Sequence, residues 1–188
     1  MTTHHRAPAR LSLLALLVAA CGATPPTASP RPSTTSPTPS ASAEACPVVE
    51  RSGELVSNRL VDIRIESNAT ADTITFVFGE RAEFPGRPTG QLRAVTPPFH
   101  QGGSGELVLV PGRQFVEIKL EGMLLFDENG PTYAGERKLD PRLASLIALY
   151  NVDEFEGYST WIAGYDGSGC VSLGPAAAPG TFVVSFGH

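Results

Sequence analysis

RLVDIRIESNATADTITFVFGE, residues 59–80, decides the fold class. Val61, Ile63 and Ile65 point one way while Asp62, Arg64 and Glu66 point the other, and Ile74, Phe76 and Phe78 repeat that period further on. Successive side chains alternate faces only in an extended strand, so both runs read as half-buried β-strands. The rhythm returns in QFVEIKLEG, where Val116, Ile118 and Leu120 oppose Glu117, Lys119 and Glu121, and in TFVVSFG, with Phe182, Val184 and Phe186. ELVLVPG is a short continuous apolar run closed by Pro111-Gly112. Turn chemistry separates the runs: Phe84-Pro85-Gly86, the Gly102 to Gly105 stretch, Asp127-Glu128-Asn129-Gly130, Asp166-Gly167 and Pro179-Gly180. Short amphipathic strands at this spacing predict a mainly β domain over residues 46–188, an antiparallel β-sandwich with a single core.

One segment departs from the period of two. Asp140-Pro141 followed by Leu143, Leu146, Ile147 and Tyr150 has an N-cap, a proline at the first helical position and an i, i+3, i+4, i+7 stripe. At most one short helical segment is therefore expected, near residues 140–146.

Toward the N-terminus the chemistry changes. Arg6 and Arg10 precede a nearly unbroken aliphatic run from Leu11 to Val18, the pattern of an export signal. That run falls far short of the ~20 apolar residues of a spanning helix. Val18-Ala19-Ala20-Cys21 resembles the bacterial lipobox, in which the thiol takes a thioether-linked, palmitate-type lipid and the chain is cut just before it. Residues 1–20 are thus expected to be a lipoprotein signal peptide and Cys21 the lipid attachment point. From Gly22 to Ala45, Pro, Ser, Thr and Ala supply nearly everything, and no aromatic or large aliphatic residue occurs. Such a segment buries too little apolar surface to order itself, so residues 21–45 read as a lipidated cysteine and its disordered tether. The expected location is outside the cytoplasm, anchored to the outer face of the bacterial cytoplasmic membrane or another envelope membrane.

Loss of Arg6 and Arg10 with the signal moves the formal charge from −5 to −7, with 12 basic against 19 acidic residues. An acidic domain without a Lys/Arg cluster is a poor partner for nucleic acid. Cys46 and Cys170 remain as an even pair in an oxidising compartment and are expected to form a disulfide. No metal site is expected, because there is no CxxC and His4, His5, His100 and His188 are scattered over signal, loop and terminus. No cofactor is called for either.

For catalysis, Glu154 and Glu156 could share a strand face and act as the carboxylate pair of an envelope hydrolase. Carboxylates near a turn more often serve as solvated or capping groups, and neither a nucleophile elbow nor a phosphate-binding loop is present. A non-enzymatic reading is preferred. Strict alternation puts Trp161 and Tyr165 on one face and Tyr158 on the other. Trp161 and Tyr165, with Glu156 beside them, could offer a ligand-contact surface on which sugar rings stack. The sole tryptophan nevertheless reads first as a core residue, and Phe155 more strongly so.

Residues 145–167, SLIALYNVDEFEGYSTWIAGYDG, resemble the late motif of the AMIN-like domains of bacterial lipoproteins through Phe155-Glu156-Gly157, Thr160-Trp161 and Gly164-Tyr165-Asp166-Gly167. LVDIRIESN and DTITFVFGE are similar to the family's first two strands, with Asp72 and Phe76 in the expected places. The resemblance covers most of residues 59–187. The closing strand departs, since the family tends toward Arg-Leu-Val-Val-Asp-Val after proline where this chain has Thr181-Phe182-Val183-Val184-Ser185-Phe186. No role is carried over for that arginine or aspartate. The resemblance implies a β-sandwich related to the targeting domain of cell-wall amidases and structural roles for Phe155, Gly157 and Gly164; it does not imply amidase activity. It also implies strand from about Leu146, after one helical turn at Pro141 to Ala144. The expected function is a membrane-anchored, non-catalytic domain that binds peptidoglycan or glycan; the alternatives are a protein-protein interaction module of the envelope and the Glu154/Glu156 hydrolase.

Overall fold

In the computed structural model, which describes residues 48–83, 87–175 and 180–188, the alternating runs are strands. In chain order they are β1 (Val49–Glu54), β2 (Leu60–Ser67), β3 (Ala71–Phe78), β4 (Thr89–Val95), β5 (Phe99–His100), β6 (Leu107–Val108) and β7 (Gln114–Glu121). Then follow β8 (Phe126–Asp127), β9 (Gly130–Pro131), β10 (Lys138–Leu139), β11 (Leu146–Phe155), β12 (Tyr158–Tyr165), β13 (Val171–Leu173) and β14 (Thr181–Gly187). The larger sheet has the order β1-β4-β7-β12-β11-β10 and the smaller one β13-β14-β3-β2. Every pairing is antiparallel. Cys21, Cys46, the tether and the Phe84-Pro85-Gly86 turn lie outside the described residues.

The inward residues of both sheets meet in one core. Ile74 and Phe76 of β3 and Val184 and Phe186 of β14 pack with Leu92, Val116, Ile118, Leu120 and Trp161 of the larger sheet. Phe76 meets Trp161 edge-on at 6.0 Å between ring centroids, a favoured aromatic geometry. The expected sandwich and the inward faces of β3, β7 and β14 are therefore present. Strand β2 differs by one residue. A register shift between Leu60 and Asp62 turns Leu60 into the core and leaves Val61 42% exposed, while Ile63 and Ile65 stay partly buried. The extra residue of a bulge reverses parity, which strict alternation does not anticipate.

A second apolar cluster lies on the far face of the larger sheet, where Phe99 and Val108 of the β5–β6 hairpin cover Ala148, Tyr150, Val152 and Ile162. Of ELVLVPG, only Leu107–Val108 is strand, and Leu107 and Leu109 are exposed. Strands β11 and β12 are consequently buried on both faces.

No helix occurs among the described residues, within the expected limit of at most one; the local helical signals at residues 140–146 are not realised, and strand begins at Leu146 as the resemblance implies. Arg142 has φ 51°, outside the right-handed helical region, and the Leu143 N–H donates to Leu146 O at 2.8 Å to close a tight turn. Asp140 caps no helix; it accepts the Tyr150 hydroxyl at 2.9 Å. A tertiary partner wins over local propensity here: the carboxylate of Asp72 takes the Ser145 and Leu146 N–H groups at 2.6 and 2.9 Å.

Candidate functional site

The late motif forms the β11–β12 hairpin. Its two turn residues, Glu156 (φ 47°) and Gly157 (φ 82°), are both left-handed, as the tight turn matching strand twist requires. At the tip Phe155 is 63% exposed. This corrects the core reading of Phe155: as the last residue of β11 it stands beyond the reach of the facing sheet. Trp161 is fully buried and Tyr165 only 7% exposed, so the ligand-contact surface expected of them is corrected as well. Trp161 is ringed by Phe76 and Tyr133 and donates its indole N–H to Ser159 Oγ at 2.9 Å. Tyr165 packs on Phe186, and burial pushes its phenol pKa up. Gly164 faces the other way, under the Pro111-Gly112 turn; a Cβ there would overlap the Pro111 carbonyl oxygen.

Glu154 and Glu156 do not form a pair on one strand face. Glu156 is an exposed turn residue, while the Glu154 carboxylate is held by Arg137 Nε and Nη2 at 3.1 Å each. Arg137 is itself fixed by the carbonyls of Tyr133 and Gly135 at 2.8 Å. This arrangement gives a clamped ion pair, not two carboxylates flanking a scissile bond.

Beside that ion pair lies a cleft of about 510 Å³, lined by Gln101, Arg137, Lys138, Asn151, Asp153, Glu154 and Phe155 with the glycines of the β5–β6 loop. Sheet topology creates it. Strand β10 covers β11 only at Leu149 and Tyr150, so among the described residues no strand pairs with Asn151–Phe155 on that side. A bulge between Asn151 and Asp153 then turns Asp153 to the outer face and Glu154 to the inner. The two carboxylates thus reach the cleft from opposite sides of the strand edge. Gly102 seals its outer wall: its N–H donates to Val152 O at 2.7 Å, and a Cβ would overlap the Asp153 carboxylate. Lys138 sits over the Tyr150 ring at 5.6 Å.

A different buried carboxylate holds the opposite end of β11. Asp72 is fully buried and accepts the Ser67 hydroxyl at 2.6 Å in addition to the Ser145 and Leu146 N–H groups, while His188 Nε2 lies 3.0 Å away. Burial pushes its pKa up, but the bonds from Ser67, Leu146, Ser145 and His188 outweigh that and hold it below the ordinary value. The Ser145 hydroxyl donates to Gly187 O at 2.8 Å, so serine, histidine and aspartate form a structural knot and no nucleophile is presented to solvent.

Sequence reasoning placed Glu156 on the surface but missed Arg137, Lys138, Asn151 and Gln101, which only the broken edge of β11 brings together. A family model for the AMIN-like domain matches residues 58–188. No curated protein and no solved structure matches the chain.

Proposed function

The chain belongs to the AMIN-like domain family, and from that premise we propose that it is a non-catalytic, membrane-tethered envelope protein whose β-sandwich binds cell-wall material at the β11 cleft. Such a domain suggests a location outside the cytoplasm and a role in targeting or binding. The finer reading adds a lipid on Cys21 as the anchor, residues 22–45 as a spacer, and a Cys46–Cys170 disulfide at the entry of the domain. Several acyl chains on one cysteine give stable membrane attachment, because each buried methylene contributes ~0.8 kcal/mol.

The observation that carries the binding site is the cleft itself. It is a concave surface with ionic, amide and aromatic groups converging on it, and Phe155 stands exposed at its rim. A large exposed ring among polar groups contributes to recognition of ligands with both apolar and polar parts.

Co-sedimentation of the detergent-solubilised full chain with purified sacculi tests this. Saturable binding is expected, weakened by Phe155→Ala with the fold unchanged, since that side chain contributes little to the core. Absence of sedimentation, or binding indifferent to Phe155→Ala and to charge reversal at Lys138, removes the cleft from the function.

A further inference from the structure

We propose that the β11 cleft recognises an extended peptide bearing both a free amine and a free carboxylate, so that the peptide component of wall material, and not its sugar, is the ligand. This deepens the wall-binding reading and rests on it. Three observations favour a peptide. Trp161 and Tyr165 are in the core, and among the described residues the one ring lining the cleft is Phe155 on its rim, so the described lining offers no flat aromatic platform for successive sugar rings. The cleft also opens along the β11 edge beyond the Asn151 N–H and the Val152 carbonyl, which Arg137 and Gly102 already engage, and there an extended peptide can add main-chain hydrogen bonds.

The charges supply the third. Arg137 and Glu154 satisfy one another, whereas among the described residues the Asp153 carboxylate and the Lys138 ammonium have no ion-pair partner. Asn151 adds a neutral group: it is only 6% exposed, lines the cleft, and spends its amide N–H on Ser159 Oγ at 3.4 Å. Its carbonyl oxygen accepts no protein donor among the described residues. Asp153 therefore presents an acceptor for an ammonium group on the outer side of the cleft, with the Asn151 amide on the inner side, and Lys138 presents a donor for a carboxylate. Gly102 keeps this arrangement open, since any side chain there would displace the Asp153 carboxylate.

The test is a titration of the full chain, followed by NMR of the Gly102, Lys138 and Asp153 amides. The probes are a short synthetic peptide with one lysine amine and a free C-terminal carboxylate, its N-acetyl-lysine form, its C-terminal amide, and glycan strands stripped of peptide. The free peptide is expected to move all three amides. Blocking either charge weakens binding by at least about ten-fold, the loss expected for one charge-assisted hydrogen bond. Asp153→Asn should abolish discrimination against the acetylated amine, and Lys138→Gln discrimination against the amide. Equal binding of free and blocked peptides, or a stronger response to peptide-free glycan strands, overturns the inference. Sacculus binding without any response to peptide overturns it while leaving the wall-binding reading intact; a peptide response without sacculus binding does the reverse.

Discussion

Asp72 joins three parts of the chain through one carboxylate: Ser67 at the end of β2, the Ser145-Leu146 entry into β11, and His188. Removing it takes the acceptor from two buried N–H groups, those of Ser145 and Leu146. Asp72→Ala is therefore expected to lower the unfolding free energy by on the order of 3 kcal/mol in urea denaturation, the scale of lost bonds to a charged acceptor. Asp72→Asn should cost clearly less, because one oxygen remains for the two N–H groups and the amide nitrogen can donate to the Ser67 oxygen. Titration adds a second signature. The folded pKa lies below the ordinary 3.8, so the ionised carboxylate stabilises the fold above that value, and its contribution is lost as pH falls from about 3.8 through the folded pKa. Acid unfolding of Asp72→Asn should lose this component of its slope; an unchanged acid limb would show that Asp72 does not carry it. The sequence did contain a signal here, since Asp72 shares the inward parity of Ile74, Phe76 and Phe78. A carboxylate on an apolar face must find partners.

At the scale of elements, the legible strands were those with one wet face. β3 and β7 alternate because one side meets the core and the other meets solvent or the sheet rim, and β14 follows the same period except at Val183, which is also buried. β11 and β12 are covered on both sides, by the opposing sheet and by the β5–β6 hairpin, so their sequences lose the period of two and local signals mimic a helix. The cleft was hidden for a related reason: it depends on how short β10 is and on a bulge, and neither leaves a compositional mark. What did survive in the motif is its glycines, for two separate reasons. Gly164→Ala must push the Pro111-Gly112 turn off β12, backbone against backbone, whereas at Gly157 the strain is that of a left-handed φ of 82°. Gly157→Ala is expected to cost ~1–2 kcal/mol. Gly164→Ala should cost several-fold more, or prevent folding, and should expose the Phe99–Phe115 cluster to a hydrophobic dye. Equal melting temperatures for the two variants would refute the account of Gly164.

For the molecule as a whole, the question is what keeps the two sheets closed along the side where the chain enters. There β1 forms the edge of the larger sheet and β13 the edge of the smaller one, and the Glu50 carboxylate accepts the Leu173 N–H across the seam. Cys170 stands directly before β13 and Cys46 shortly before β1, so the proposed disulfide would close this same seam. Positions 46 and 170 are 124 residues apart, and a loop of that length corresponds to about 4–5 kcal/mol in the chain-entropy treatment. Trp161, the sole tryptophan, is fully buried, and its emission should shift to the red when the sandwich opens. Following that emission in guanidinium, addition of reductant is expected to lower the midpoint markedly, Cys170→Ser to reproduce the shift, and reductant to have no further effect on Cys170→Ser. If both Cys46 and Cys170 titrate as thiols in the denatured, unreduced chain, the seam is held by Glu50 and strand contacts alone, and the midpoint will not respond to reductant.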